Sequence, residues 1–115
     1  MGSRTKKTTP LAPEALALIA RRFRILGEPT RLALLQELFA GELTVTDLCE
    51  RTGTSQANVS KHLATLTAEG ILARRKDGLY VHYRIVDATV RQLCDVVCGS
   101  LAERFERAGE HFSSR

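Results

Sequence analysis

Apolar residues recur near the start of the chain at helical spacing. Leu16, Ile19, Phe23 and Leu26 fall three or four positions apart, the period of one helix face. Pro13 suits a first-turn position, where its missing N–H would be unpaired in any case, and Gly27 stops the run, so the pattern predicts a first helix over 13–26. Pro29 opens a second helix, in which Leu32, Leu35, Leu38 and Phe39 form a stripe closed by Gly41. Thr44 stands three residues before Asp47, the spacing of a capping box, and starts a short third helix that carries Val45, Leu48 and Cys49 and ends near Gly53. Ser55 or Thr54 caps a fourth, from Gln56 to Glu69, with Val59, Leu63 and Leu66 on its inner face and Gly70 as its stop.

The period then changes from 3.6 to 2. Ile71 to Lys76 and Leu79 to Val86 flank Asp77-Gly78, a strong hairpin signal, because both positions of the expected turn need positive φ. After Asp87, a candidate cap, Val90, Leu93, Val97, Leu101 and Phe105 mark a long amphipathic helix that fades after Ala108, with Cys94 and Cys98 alongside. Two short helices joined by a tight glycine turn form a helix-turn-helix. With the hairpin behind it, the expected fold is mainly α with a two-stranded β wing: a winged helix-turn-helix of about five helices. It should occupy residues 13–108, between a disordered basic arm (1–12) and a frayed C-terminal tail (109–115).

The chain has 115 residues, 43% apolar, 26% charged and 5% aromatic, which suits one domain with one core and argues against an elaborate enzyme. No nucleophile elbow, phosphate loop or paired His-carboxylate spacing is present, so no catalytic role is expected. The formal net charge is +4, but Arg4, Lys6 and Lys7 supply most of it. The informative asymmetry lies between Arg51 and Arg84, where six Lys/Arg face only Glu69 and Asp77. A locally basic stretch in a near-neutral domain is what a nucleic-acid surface requires. The longest apolar runs fall far short of the roughly 20 residues of a membrane span, and the N-terminus lacks the order of a signal peptide, so a cytoplasmic protein without membrane contact is expected.

The second helix of a helix-turn-helix sets its N-terminal residues against base edges in the major groove. With Val59, Leu63 and Leu66 inward, the outward positions are Ser55, Gln56, Ala57, Ser60, Lys61 and His62, where amides and hydroxyls can read bases and Lys61 can meet phosphate. Arg74, Arg75 and Lys76 flank the wing turn and are expected on the DNA backbone or minor groove. His62, His82 and His111 fall on different elements and suggest no shared metal site.

Four segments carry a resemblance: Leu26-Gly27-Glu28-Pro29-Thr30-Arg31-Leu32, Gly41-Glu42-Leu43-Thr44-Val45-Thr46-Asp47-Leu48-Cys49, Ser55-Gln56-Ala57-Asn58-Val59-Ser60-Lys61-His62-Leu63 and Arg75-Lys76-Asp77-Gly78-Leu79-Tyr80-Val81-His82-Tyr83. In this order and spacing they resemble the ArsR/SmtB family of small winged-helix repressors, over about residues 13–105. The resemblance implies a homodimer joined through the first and last helices, bound to an inverted-repeat operator in double-stranded DNA and released by an inducer. Independently, the apolar stripe of the last helix is more than one small domain covers, which favours a dimer.

Arsenic-responsive members carry thiolates in the run Glu-Leu-Cys-Val-Cys-Asp-Leu-Cys. Here Thr44 and Thr46 replace the first two cysteines and only Cys49 remains, so that site is absent in its usual form. Zinc-responsive relatives place an Asp, two His and a Glu on the last helix; the matching positions are Asp87, Thr89, Ser100 and Glu103, without either His. The distinctive feature is instead Cys94 and Cys98, four apart on one helix face with Cβ atoms about 6 Å apart. With Cys49 as a third ligand they would suit As(III), Sb(III) or a soft divalent metal as inducer, with no cofactor required; as a thiol pair they would suit an oxidant or persulfide. Free cysteines also pack as small hydrophobes, which leaves open a regulator with no small-molecule inducer. A winged-helix module that binds protein rather than DNA is a further alternative, against which the basic stretch argues.

Overall fold

The structure, a computed structural model, describes residues 10–109 and 112. Most of the expected arm, and His111 in the expected tail, lie outside the described residues. In chain order the elements are α1 (Pro13–Leu26), α2 (Pro29–Leu38), β1 (Leu43–Thr44), α3 (Val45–Thr52), α4 (Gln56–Ala68), β2 (Leu72–Asp77), β3 (Tyr80–Ile85) and α5 (Ala88–Arg107). The winged helix-turn-helix is thus present, and local chemistry explains its boundaries. At α3 the Asp47 N–H donates to Thr44 Oγ1 at 3.1 Å and the Thr44 N–H to Asp47 Oδ2 at 3.2 Å, the reciprocal capping box that the spacing predicts. Gly53, at φ 68°, ends α3 in a left-handed conformation that a side chain would strain. Ser55 Oγ then accepts from the Asn58 N–H at 3.2 Å and starts α4.

Two features differ from the sequence reading. The sheet has a third strand, in the order β1-β3-β2, because Leu43 and Thr44 pair with Tyr83 and His82. Two residues are too few to show a period. The hairpin turn also sits one residue later than expected: Asp77 still pairs with Tyr80, and Gly78-Leu79 make the turn. Only Gly78, at φ 63°, has positive φ, so glycine at the first turn position meets the whole steric demand.

The core joins Leu34, Leu35 and Leu38 of α2, Leu48 of α3, Val59, Leu63 and Leu66 of α4, Ile71, Leu72 and Tyr83 beside and within the wing, and Val90 of α5. In α2 the buried face is rotated from the predicted stripe, since Leu34 is enclosed and Leu32 exposed. The outer helices are only partly used. Of the α1 stripe only Leu26 is buried, while Leu16, Ile19 and Phe23 are open to solvent. On α5, Val90 is buried, Leu93 and Cys94 are half-buried against the core, and Val97 and Leu101 are exposed.

Leu63 is fully enclosed where α4 meets the core. Leu63→Ala should lower the unfolding free energy by about 3 kcal/mol through lost transfer energy and a residual cavity. Urea denaturation would show a lower midpoint at unchanged slope; an unchanged midpoint would mean that α4 does not depend on this contact.

Candidate nucleic-acid interface and thiol positions

With Val59, Leu63 and Leu66 buried, α4 turns Ser55, Gln56, Ala57, Ser60 and Lys61 to solvent, as the sequence predicts. These side chains lie along the N-terminal half of α4, and Lys61 makes no ion pair among the described residues.

His62 does not join them, which corrects the expectation that it faces outward. It is only 6% exposed, with Nδ1 at 3.1 Å from Arg31 Nη1 and Nε2 at 3.9 Å from Glu28 Oε1. A guanidinium only donates, so Nδ1 is the acceptor in this contact. Arg31 also donates through Nε to the Ile25 carbonyl at 2.6 Å, which ties the end of α1 to α4. The signal was available in the sequence, because positions 59, 62, 63 and 66 together form one helix face. A polar residue type had hidden a core position.

On the wing, Arg74 and Lys76 are exposed and unpaired among the described residues. Strand alternation places Arg75 on the opposite face. There it forms a fork with Glu42, Nη2 to Oε1 at 2.8 Å and Nε to Oε2 at 3.2 Å, and lies 3.6 Å from Asp77. Any phosphate contact by Arg75 therefore competes with a carboxylate. Glu42 was not singled out from the sequence, since its partner lies 33 positions away.

The three cysteines are free and occupy different environments. Cys49 and Cys94 are half-buried against the core, while Cys98, one turn further along α5, is exposed. Burial, then the nearby Asp95 and Cys98, pushes the Cys94 thiol up. Cys49 does not converge with the other two. Among the described residues no three His, Cys, Asp or Glu side chains are grouped so as to hold a metal ion, which corrects the expectation of Cys49 as a third ligand within one chain. Asp87 is also committed: Oδ1 accepts from the Thr89 N–H at 3.0 Å as the cap of α5, and Oδ2 meets Arg22 Nη1 at 2.9 Å.

Comparison with known proteins places these features in a wider set. The sequence pattern described as "Bacterial regulatory protein, arsR family" matches residues 28–74. The arsenical resistance operon repressor of Escherichia coli K12 is 50% identical over 66 residues, 55% of each chain. The transcriptional regulator NmtR of Mycobacterium tuberculosis is 36% identical over 92 residues, 80% of this chain and 77% of its own. Across several of the curated regulators it matches, the chain spans 55–65% of their length. Among solved structures, the AntR antimony-specific repressor superposes with a TM-score of 0.76 at 31% identity, covering 85% of this chain and 90% of its own. A homodimeric winged helix-turn-helix domain from Mycobacterium bovis gives 0.73 at 26% identity, covering 95% and 100%.

Several carboxylates are held below their ordinary range: Glu69 by the Arg21 guanidinium, Asp87 by the Thr89 hydroxyl and then Arg22, Glu42 by Arg75, and Asp47 by the Thr44 N–H. A carboxyl with a lower pKa folded than unfolded stabilises the fold fully above the unfolded value, about 4, and loses that contribution as pH falls through the folded value. Glu69→Gln and Asp87→Asn should each flatten the fall of melting temperature on the acid side of about pH 5. Acid limbs identical to that of the parent chain would show that these pairs do not stabilise the fold.

Proposed function

The chain belongs to the arsR family of bacterial regulatory proteins, and on that premise we propose that it is a dimeric repressor, bound to an inverted-repeat operator and released when a thiol-directed inducer reacts at Cys94 and Cys98. The observation that carries the DNA reading is the exposed polar N-terminal face of α4 together with Arg74 and Lys76 of the wing, which are exposed and make no ion pair among the described residues. In this reading Gln56 and Ser60 read base edges, with Ser55 and Ala57 beside them, while Lys61, Arg74 and Lys76 neutralise phosphates. Arg75 contributes less, being already engaged by Glu42.

Dimerisation is supported by the uncovered apolar faces of α1 (Leu16, Ile19, Phe23) and α5 (Val97, Leu101), and by the homodimeric M. bovis relative in structure. A two-fold axis would set two recognition helices about 34 Å apart, one turn of DNA, and so call for a pseudo-palindromic site. No helix among the described residues is long and apolar enough to cross a membrane. Action in the cytoplasm, where thiols stay reduced, fits the free cysteines.

For the inducer, two sulfurs one helical turn apart are a soft-ligand pair, and relatives named for arsenical, mercury and antimony responses support a soft metal or metalloid. The half-burial of Cys94 favours a second reading, in which the pair packs and senses nothing.

Gln56→Ala or Ser60→Ala should weaken operator binding about tenfold or more while leaving random DNA unchanged. Arg74→Ala or Lys76→Ala should instead weaken both and reduce the slope of log affinity against log salt by about 0.9 each. Equal losses on both DNAs from every variant would remove α4 from the reading role. For the inducer, fluorescence anisotropy of the reduced protein on its promoter, titrated with arsenite, should show release that is absent in Cys94→Ser and Cys98→Ser. Tight binding that arsenite leaves untouched would favour the packing reading or an oxidant.

A further inference from the structure

Three elements with different tasks meet at one side chain. Arg22, on α1, donates through Nη1 to Asp87 Oδ2 at 2.9 Å and through Nη2 to the Glu69 carbonyl at 3.1 Å. Asp87 is the N-cap of α5 and Glu69 the C-cap of α4, so a single planar guanidinium spans the start of the cysteine-bearing helix and the end of the recognition helix. The neighbouring Arg21 grips the Glu69 carboxylate through Nε at 2.7 Å. Sequence separations of 65 and 47 residues make these tertiary contacts rather than local ones.

We propose that Arg22 is a positioning residue that couples α5 to α4, transmitting a displacement of the cysteine-bearing helix to the DNA-reading one. The inference rests on the reading of α4 and α5 given above, though not on the identity of the inducer. Within one chain, α5 is seated on the core by Val90, Leu93 and Cys94, and beyond Cys94 its apolar residues Val96, Val97 and Leu101 belong to the face offered to a second copy. Cys94 is thus the last of these seating contacts, seven residues or about 10 Å of helix from Asp87. Bulk or charge added there levers a rigid rod whose near end is the Asp87 cap. The Asp87 cap is thus joined through Arg22 to the carbonyl of the α4 C-cap, Glu69. A planar fork can serve two acceptors at fixed geometry, which a lysine ammonium on a flexible stem does not reproduce.

The test is a double-mutant cycle on operator affinity, with Cys94→Glu as the displacement and Arg22→Gln as the broken coupler. Arg22→Gln alone should leave reduced-state affinity within about threefold, because Arg22 lies outside the DNA-facing set. Cys94→Glu alone should weaken the operator complex tenfold or more, within the usual range of allosteric coupling, and in the Arg22→Gln background by threefold or less. Asp87→Asn, which keeps a capping side chain but loses the ion pair, should act like Arg22→Gln and serves if that variant fails to fold. Arg22→Lys should not restore coupling. If Cys94→Glu does not fold, alkylating the folded protein with iodoacetamide, in which the Cys94 sulfur displaces iodide, supplies the displacement, with the site verified by mass spectrometry. An undiminished loss in the Arg22→Gln and Asp87→Asn backgrounds overturns the proposal, as does a displacement at Cys94 with no effect on affinity. Failure of arsenite to release DNA while the cycle shows coupling would sink the soft-ion reading alone.

Discussion

Because Val59, Leu63 and Leu66 are fully enclosed, α4 cannot rotate about its axis, and every statement about which of its side chains meet another molecule follows from that restraint. A slip of one residue would turn the helix by about 100° and present Val59 or Leu63 to water, at roughly 1.5–3 kcal/mol for each apolar side chain exposed. Gln56, Ser60 and Lys61 hold their outward positions for this reason, with no contact of their own required. His62 adds a polar lock to the same face. Its imidazole accepts from Arg31, and Arg31 in turn holds the carbonyl that ends α1, so the orientation of α4 is set by apolar burial and by one directional hydrogen bond together.

Elements whose cause is local were legible in the sequence. The capping box at Thr44 and Asp47, the glycine that ends α3 and the prolines that open α1 and α2 involve residues within a few positions of one another, and the structure repeats them. What could not be read is long-range. The two-residue strand at Leu43 and Thr44 exists only because β3 supplies partners, and the ion pairs Arg75–Glu42 and Arg22–Asp87 join residues that nothing in the sequence marks as neighbours. In the sequence Arg75 looks equivalent to Arg74 and Lys76, because all three are basic and adjacent. Strand alternation separates them, and a carboxylate engages one. His62 failed differently: its position was legible, but its chemistry suggested a surface role.

The partly used outer helices put the cysteines in context. α1 and α5 carry apolar residues that the single chain leaves wet, while arginines 21 and 22 tie α1 to the ends of α4 and α5. A helix held by polar contacts along one side and left apolar on another can change what it touches without unfolding the core, since Leu34, Leu35, Leu48 and Leu63 lie elsewhere. Cys94 stands at the boundary between these regimes, close enough to the core for burial to favour its protonated thiol and one turn from an exposed sulfur.

Thr44 has a double engagement. Its hydroxyl caps α3 while its backbone lies in register with His82 of β3, so the helix-turn-helix and the wing share a residue. That stitch joins the helix-turn-helix directly to the strand pair that carries Arg74 and Lys76. The two are built as one reading head, with its internal spacing set by the fold of a single chain. In the proposed dimer, a shift of α5 would change how heads on separate copies stand relative to each other, and hence how firmly DNA is held. The sequence preference written into a single head would be left as it was, so such a switch would act as a dimmer on one fixed message.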